Sequence, residues 1–195
     1  YYPVDKVHGL PPTYTPAVVP TGLPGGGMLL PIARDALTLL FDDAHHHGIY
    51  PVVTSAYRSY AEQVITFNAW AAQEFLQHPN LERAIANAER YSAAPGHSEH
   101  QLGTAVDLNC STCAAFDRGN PKNQTLWDYL DQNAYRFGFV ISYPHDDEAR
   151  TGYLYEPWHL RYIGVSNATD LYDAGYLSSN GACSLGFLRD KRLYD

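Results

Sequence analysis

Residues 31–55 read PIARDALTLLFDDAHHHGIYPVVTS, a helix signal running directly into a strand signal. Pro31 suits a first helical position, where its missing N–H would have had no partner in any case. Behind it Ile32, Ala36, Leu37, Leu40, Phe41 and Ala44 recur at the helical period, and Gly48 closes the pattern. His45, His46 and His47 fall in the last turn. Three consecutive positions fan around a helix and cannot face one metal, so they read as surface residues compatible with the helix dipole. Ile49 to Thr54 is β-branched and apolar, which predicts a buried strand delivering Ser55-Ala56-Tyr57-Arg58 at its end.

Working outward, residues 1–27 carry Pro3, Pro11, Pro12, Pro16, Pro20, Pro24 and the run Gly25-Gly26-Gly27. Regular helix and central strand are disfavoured there, so this is an N-terminal arm, laid over the domain or tethering it, and residues 28–195 form the domain. Downstream, a helix is predicted from about Tyr60 to Gln77, with Val64, Phe67, Ala71 and Phe75 on one face, and a shorter one over Leu81 to Arg90. Gly103 to Leu108 reads as a strand. The Leu126, Tyr129, Leu130, Asn133 spacing gives a further helix, stopped by Gly138 and followed by a strand over Phe139 to Tyr143. Leu160 to Ile163 is the last strand and Val165 to Ala174 a closing helix. Helices set before and between strands, without βαβ alternation, predict a single α+β domain with a largely antiparallel central sheet.

The 195 residues, 45% hydrophobic, suffice for one well-packed domain. A net charge of −8 with scattered Lys and Arg argues against nucleic acid as a partner. No apolar run approaches the roughly 20 residues that span a bilayer, so no transmembrane segment is expected. The chain starts at Tyr1 without methionine or a leader, which reads as a processed or trimmed form. Three cysteines, Cys110, Cys113 and Cys183, are too few for a disulfide-built fold; one pair or three free thiols both fit the count, and a cysteine zinc site lacks an obvious fourth ligand. The glycosylation-like triplets at Asn109, Asn123 and Asn167 carry no weight, because such patterns arise readily by chance.

Two segments carry chemistry. Ser98-Glu99-His100-Gln101-Leu102-Gly103-Thr104-Ala105-Val106-Asp107 holds an imidazole and a carboxylate seven residues apart. On an uninterrupted strand these would face opposite sides, so Gly103 is expected to mark a bend that brings them together. Glu156-Pro157-Trp158-His159 sets a second carboxylate and imidazole three apart, with Pro157 forcing a turn. Two histidines and a carboxylate leave one position open, as catalytic zinc sites do. No His-Glu-x-x-His helix is present.

Taken together, Ser-x-Tyr-Arg-Ser-x-x-x-Gln at 55–63, Ser-x-His-x-x-Gly-x-x-x-Asp at 98–107 and Glu-x-Trp-His at 156–159, extended by Leu160-Arg161-Tyr162-Ile163-Gly164, resemble the VanY-type D-alanyl-D-alanine carboxypeptidases of the LAS zinc metallopeptidases. The resemblance spans roughly residues 30 to 175. It implies a hedgehog/D-Ala-D-Ala-peptidase-like fold, one zinc per chain on His100, Asp107 and His159, and Glu156 as catalytic base. Arg58 is implied to contact substrate and stabilise the oxyanion, with Gln63 and Ser98 holding substrate, Ser98 at its terminal carboxylate. Tyr143 and Tyr153 are candidates for lining the cleft, and Trp158 for packing. The implied reaction removes the C-terminal D-alanine of peptidoglycan stem peptides, DD or LD, outside the cytoplasmic membrane, by a monomer. That location favours a disulfide, of Cys110 with Cys113 or of one of them with Cys183. Two rivals remain: an endopeptidase of the same superfamily, and a non-catalytic zinc-containing binding module, as in hedgehog domains. Retention of both Glu156 and Arg58 argues against the latter.

Overall fold

A computed structural model describes residues 2–175. The arm begins it as irregular chain with bends and a turn, and its β1 (Val19–Pro20) forms a two-stranded hairpin with β2 (Met28–Leu29). Next come α1 (Pro31–His46), β3 (Pro51–Ser55), α2 (Tyr60–Gln77) and α3 (Leu81–Ala88). A 3-10 turn (Glu99–Leu102) leads into β4 (Ala105–Cys110), then α4 (Pro121–Asn133) and a second 3-10 turn (Ala134–Phe137). β5 (Phe139–Ile141), the one-turn α5 (Glu148–Thr151), β6 (His159–Tyr162) and α6 (Val165–Asp173) complete the described chain. The main sheet has the order β3-β4-β6-β5 and every pair in it is antiparallel. This is the α+β class expected, with helices flanking an antiparallel sheet.

β4 shows how the sheet separates core from site. Successive side chains on a strand point to opposite faces. Val106 and Leu108 enter the apolar core with Leu37, Leu40 and Phe41 of α1, Leu126, Trp127 and Leu130 of α4, Phe139 of β5 and Leu160 of β6. The Trp127 indole N–H donates to the Leu108 carbonyl at 3.1 Å, so even the largest core side chain leaves no polar atom unpaired. Asp107 and Asn109 point to the opposite face, where the cleft lies.

The arm lies over the domain. Val4 and Leu10 pack on Leu102, Leu10 N–H donates to the Gly96 carbonyl, and the Gln101 amide donates to the Pro11 carbonyl. Gly25 lies so close to β3 that a Cβ there would come within 2.0 Å of the Val53 carbonyl oxygen. β1 pairs with β2 across the expected boundary at residue 28.

Local departures have local causes. Ile49 N–H still caps α1 by donating to the Ala44 carbonyl, which delays β3 to Pro51. α4 starts at Pro121, five residues before its apolar pattern begins, because Asn120 caps it and Pro121 fits its first turn. α2 has the expected bounds, but buries Gln63 and Phe67 and leaves Phe75 exposed. Cys110 and Cys113 are disulfide-bonded, with Cα atoms 5.4 Å apart; Cys183 and the tail lie outside the described residues. Asn109 and Asn123 are buried, which closes both triplets to modification.

Candidate active site

Asp107 on β4 and His159 on β6 are register partners, so the sheet itself sets them side by side. His100 arrives from the 3-10 turn before β4. Gly103 ends that turn at φ 73°, where a side chain would be strained and its Cβ would meet Val18 at 2.7 Å. The bend inferred from the spacing of His100 and Asp107 is therefore a glycine-capped turn. One ligand atom from each of His100, Asp107 and His159 lies within 4.8 Å of the others, and all three residues are buried.

The hydrogen bonds fix which nitrogens face the centre. His100 Nδ1–H donates to the Ala56 carbonyl at 2.7 Å, leaving Nε2 toward Asp107 at 3.3 Å. His159 Nε2 lies 3.0 Å from Glu99 and its Nδ1 2.9 Å from Asp107. Each imidazole thus has one nitrogen held by an outer acceptor and the other aimed inward, the arrangement that orients metal-ligating histidines. Two inward nitrogens and a carboxylate oxygen fit a divalent metal with a position left open. Burial disfavours the charged form of His159, but its hydrogen bonds to Asp107 and Glu99 win and raise its pKa to about 10. A divalent cation at this centre would favour the neutral imidazole and oppose that rise.

Glu99 lies inside the motif without a role that its sequence position suggests, and it is the hub of the outer layer. Its side chain is fully buried, accepts from Arg161 Nη1 and the Ser142 hydroxyl at 2.6 Å each, and contacts His159. Burial alone would raise its pKa; Arg161 and His159 instead hold it at about 2. A signal was present, since Arg161 stands two residues from His159 and so shares its face of β6. The arm reaches this layer too, because Arg161 donates to the Tyr2 carbonyl at 2.6 Å.

Glu156 N–H donates to the Tyr143 carbonyl, and His159 N–H closes a turn onto the Glu156 carbonyl at 3.0 Å. The turn across Pro157 brings the Glu156 side chain to the cleft wall beside His159. Burial, only partly offset by His159, and repulsion from Asp107 raise the Glu156 pKa to about 8. A cation bound beside it would pull that value down, toward the range a general base needs. Arg58 lines the same cleft, of about 290 Å³, and burial lowers its pKa while Asp107 and Glu156 oppose that. Its guanidinium remains cationic. It donates to Ser55 Oγ at 2.8 Å and to Gln63 Oε1 at 2.7 Å.

Gln63, expected to hold substrate, is fully buried and is not among the residues lining the cleft. Its amide N–H donates to the Ala93 carbonyl at 2.6 Å while its Oε1 accepts from Arg58, so its contact with the cleft runs through Arg58. Ser98, Tyr143 and Tyr153 do line the cleft. The Tyr143 ring packs between those of His159 and Tyr153, and burial with the nearby Glu99 raises its hydroxyl pKa well above the ordinary value. Trp158 packs on Trp127 and Phe116 while also facing the cleft.

The family model for VanY, D-alanyl-D-alanine carboxypeptidase, matches residues 28–165, which hold every residue of this centre. The chain belongs to the VanY family. A D-alanyl-D-alanine carboxypeptidase of Enterococcus faecalis is 41% identical over 136 residues, covering 70% of this chain and 48% of that protein. The chain thus spans about half the length of this VanY-type relative. A VanY D,D-pentapeptidase mutant from a VanB-type resistance cassette, solved with Zn(II), superposes with a TM-score of 0.78 at 35% identity, covering 88% of this chain and 92% of that one. VanYB in complex with D-alanine-D-alanine gives the same TM-score and identity, with 88% and 91% covered.

Proposed function

We propose that this chain is a zinc-dependent carboxypeptidase that removes the C-terminal D-alanine from peptidoglycan stem peptides, acting outside the cytoplasmic membrane as a monomer. The observation that carries the reading is the buried His100, Asp107 and His159 cluster opening onto a cleft that Glu156 and Arg58 also line. His100 Nε2, an Asp107 carboxylate oxygen and His159 Nδ1 would hold one zinc. When bound, zinc supplies Lewis acidity, activating water and polarising the scissile carbonyl. Glu156 accepts the proton of the attacking water and passes it to the leaving amine. Arg58, fixed by Ser55 and Gln63, offsets negative charge on the carbonyl oxygen as the bond breaks. Tyr143, Tyr153 and Trp158 wall the reaction from solvent. The VanY-family relatives named carboxypeptidases and the neighbour that binds D-alanine-D-alanine support this substrate class.

Digestion of purified pentapeptide and tetrapeptide muropeptides, read by mass spectrometry, tests the reading. Loss of one D-alanine from the pentapeptide is expected. Loss from the tetrapeptide instead marks LD specificity, and cleavage inside the stem supports the endopeptidase. No cleavage of either by zinc-loaded protein would contradict the proposal.

A further inference from the structure

Beyond the metal ligands and Arg58, the cleft lining contains one other cation, Arg118, on the loop between β4 and α4. Loops carry many binding residues, but only a held loop can place one. This one is held at several points. The Cys110–Cys113 disulfide staples its start, and Asn109 Oδ1 accepts from Phe116 N–H at 2.9 Å. Asn123, fully buried, accepts from Cys110 N–H at 2.8 Å and donates to the Ala114 and Asp117 carbonyls at 3.2 and 3.1 Å.

The Arg118 guanidinium lies over the Trp158 ring, 5.0 Å from its centroid, and over the Tyr155 ring at 5.8 Å. It also donates to the Tyr155 carbonyl. Tyr155 and Trp158 flank Glu156 in sequence, so Arg118 stands on the segment that carries the proposed base. Its planar donors suit a carboxylate, and its aromatic seat fixes the plane in which they point. Among the described residues Arg118 forms no ion pair, although the whole chain carries a net charge of −8. Its charge helps to hold the Glu156 carboxyl down, but no described carboxylate pairs with it directly, so an exposed cation lining a cleft has donors to offer a peptide.

We infer that Arg118 is a specificity-determining residue that binds a carboxylate of the substrate peptide. This rests on the peptidase reading and deepens it. Two sources supply that chemistry: the terminal carboxylate of the leaving residue, and a free carboxylate upstream in the stem. The leaving amine and its carboxylate share one carbon, so a cation beside the group that protonates the amine is in the right region for the first.

The experiment compares wild type, Arg118→Gln and Arg118→Lys, all zinc-loaded, on four pentapeptides. These carry a terminal acid or amide, crossed with a free acid or amide on the second residue. Arg118→Gln should raise KM for the all-acid peptide about tenfold, as loss of a charge-assisted hydrogen bond does, with kcat changed less than threefold. Arg118→Lys should recover part of that loss. The difference between wild type and Arg118→Gln should vanish on the terminal amide if the leaving residue is read, and on the second-residue amide if the upstream group is. Equal KM for wild type and Arg118→Gln on all four, or an equal rise on all four, overturns the inference. Calorimetric titration of the same peptides into Glu156→Gln and into Glu156→Gln/Arg118→Gln reads discrimination without turnover. If zinc-loaded wild type cleaves none of the four peptides while the calorimetric pair still discriminates among them, the peptidase reading alone is overturned.

Discussion

Helices α1 and α2 are nearly equal in length, at 16 and 18 residues, yet they are held by different means. α1 has no side-chain cap at Leu30 and buries Ala33, Ala36, Leu37, Leu40, Phe41 and Ala44 against the sheet and α4. α2 buries only Gln63 and Phe67, and Ile65 and Leu76 are 70% and 83% exposed. Its start is secured locally: Ser59 Oγ accepts from Glu62 N–H, and Ser59 N–H donates to the Glu62 carboxylate at 2.8 Å. Farther along, its Glu74 carboxylate accepts from Asn87 of α3 and from the Tyr91 hydroxyl just beyond that helix, so polar contacts tie the two helices together. A helix secured by its own cap need not spend its inner face on the core. The face of α2 that carries Gln63, Thr66 and Trp70, three and seven residues apart, is turned to the cleft side, the last two lining the cleft and the first bracing Arg58. α1 therefore builds the core and α2 a wall of the cleft.

Three substitutions can break that division. The largest stability effect is expected at Leu37→Ala, about 3 kcal/mol from the lost burial and the cavity left behind, measured by denaturant unfolding. Turnover per folded molecule should stay at the wild-type value; a parallel fall in kcat would mean α1 also shapes the cleft. Gln63→Ala should lower kcat about tenfold through a loosened Arg58, with zinc content kept and KM little changed. Unchanged kcat would remove Gln63 from the account of Arg58. Ile65→Ser, on the outer face of α2, should shift stability by no more than about 0.5 kcal/mol. A loss of several times that size would show that this face is covered by something in solution.

Much of this is legible in the sequence wherever local chemistry decides structure. Pro31 and Gly48 bracket α1, the Gly103 bend and the Pro157 turn follow from their residue types, and the two chemical motifs fall where the sheet brings them together. The rest depends on which surfaces meet. Periodicity identifies the apolar stripe of α2 at Val64, Phe67 and Phe75 but not that the core lies elsewhere; the substrate role expected of Gln63 comes from the family resemblance, and its hydrogen bond to Arg58 emerges only in the fold. The polar run Lys122-Asn123-Gln124-Thr125 hides the first turn of α4, although Asn123 is buried to pin the cleft loop. The proline-rich arm gives no sign that its Tyr2 carbonyl reaches Arg161, because that contact spans 159 residues. For Glu99 the sequence offers only the spacing of Arg161 and His159; that both of them and Ser142 converge on this carboxylate depends on the pairing of β4, β5 and β6.

The central claim is that Glu156 acts on water and His159 on metal, although they stand three residues apart. Glu156→Ala tests this most directly, with zinc content by elemental analysis and D-alanine release from pentapeptide measured on the same preparation. The account predicts wild-type zinc content and turnover lower by about 10²-fold or more, as loss of a positioned proton acceptor produces. Release of D-alanine at the wild-type rate, or loss of the zinc together with the activity, would contradict it.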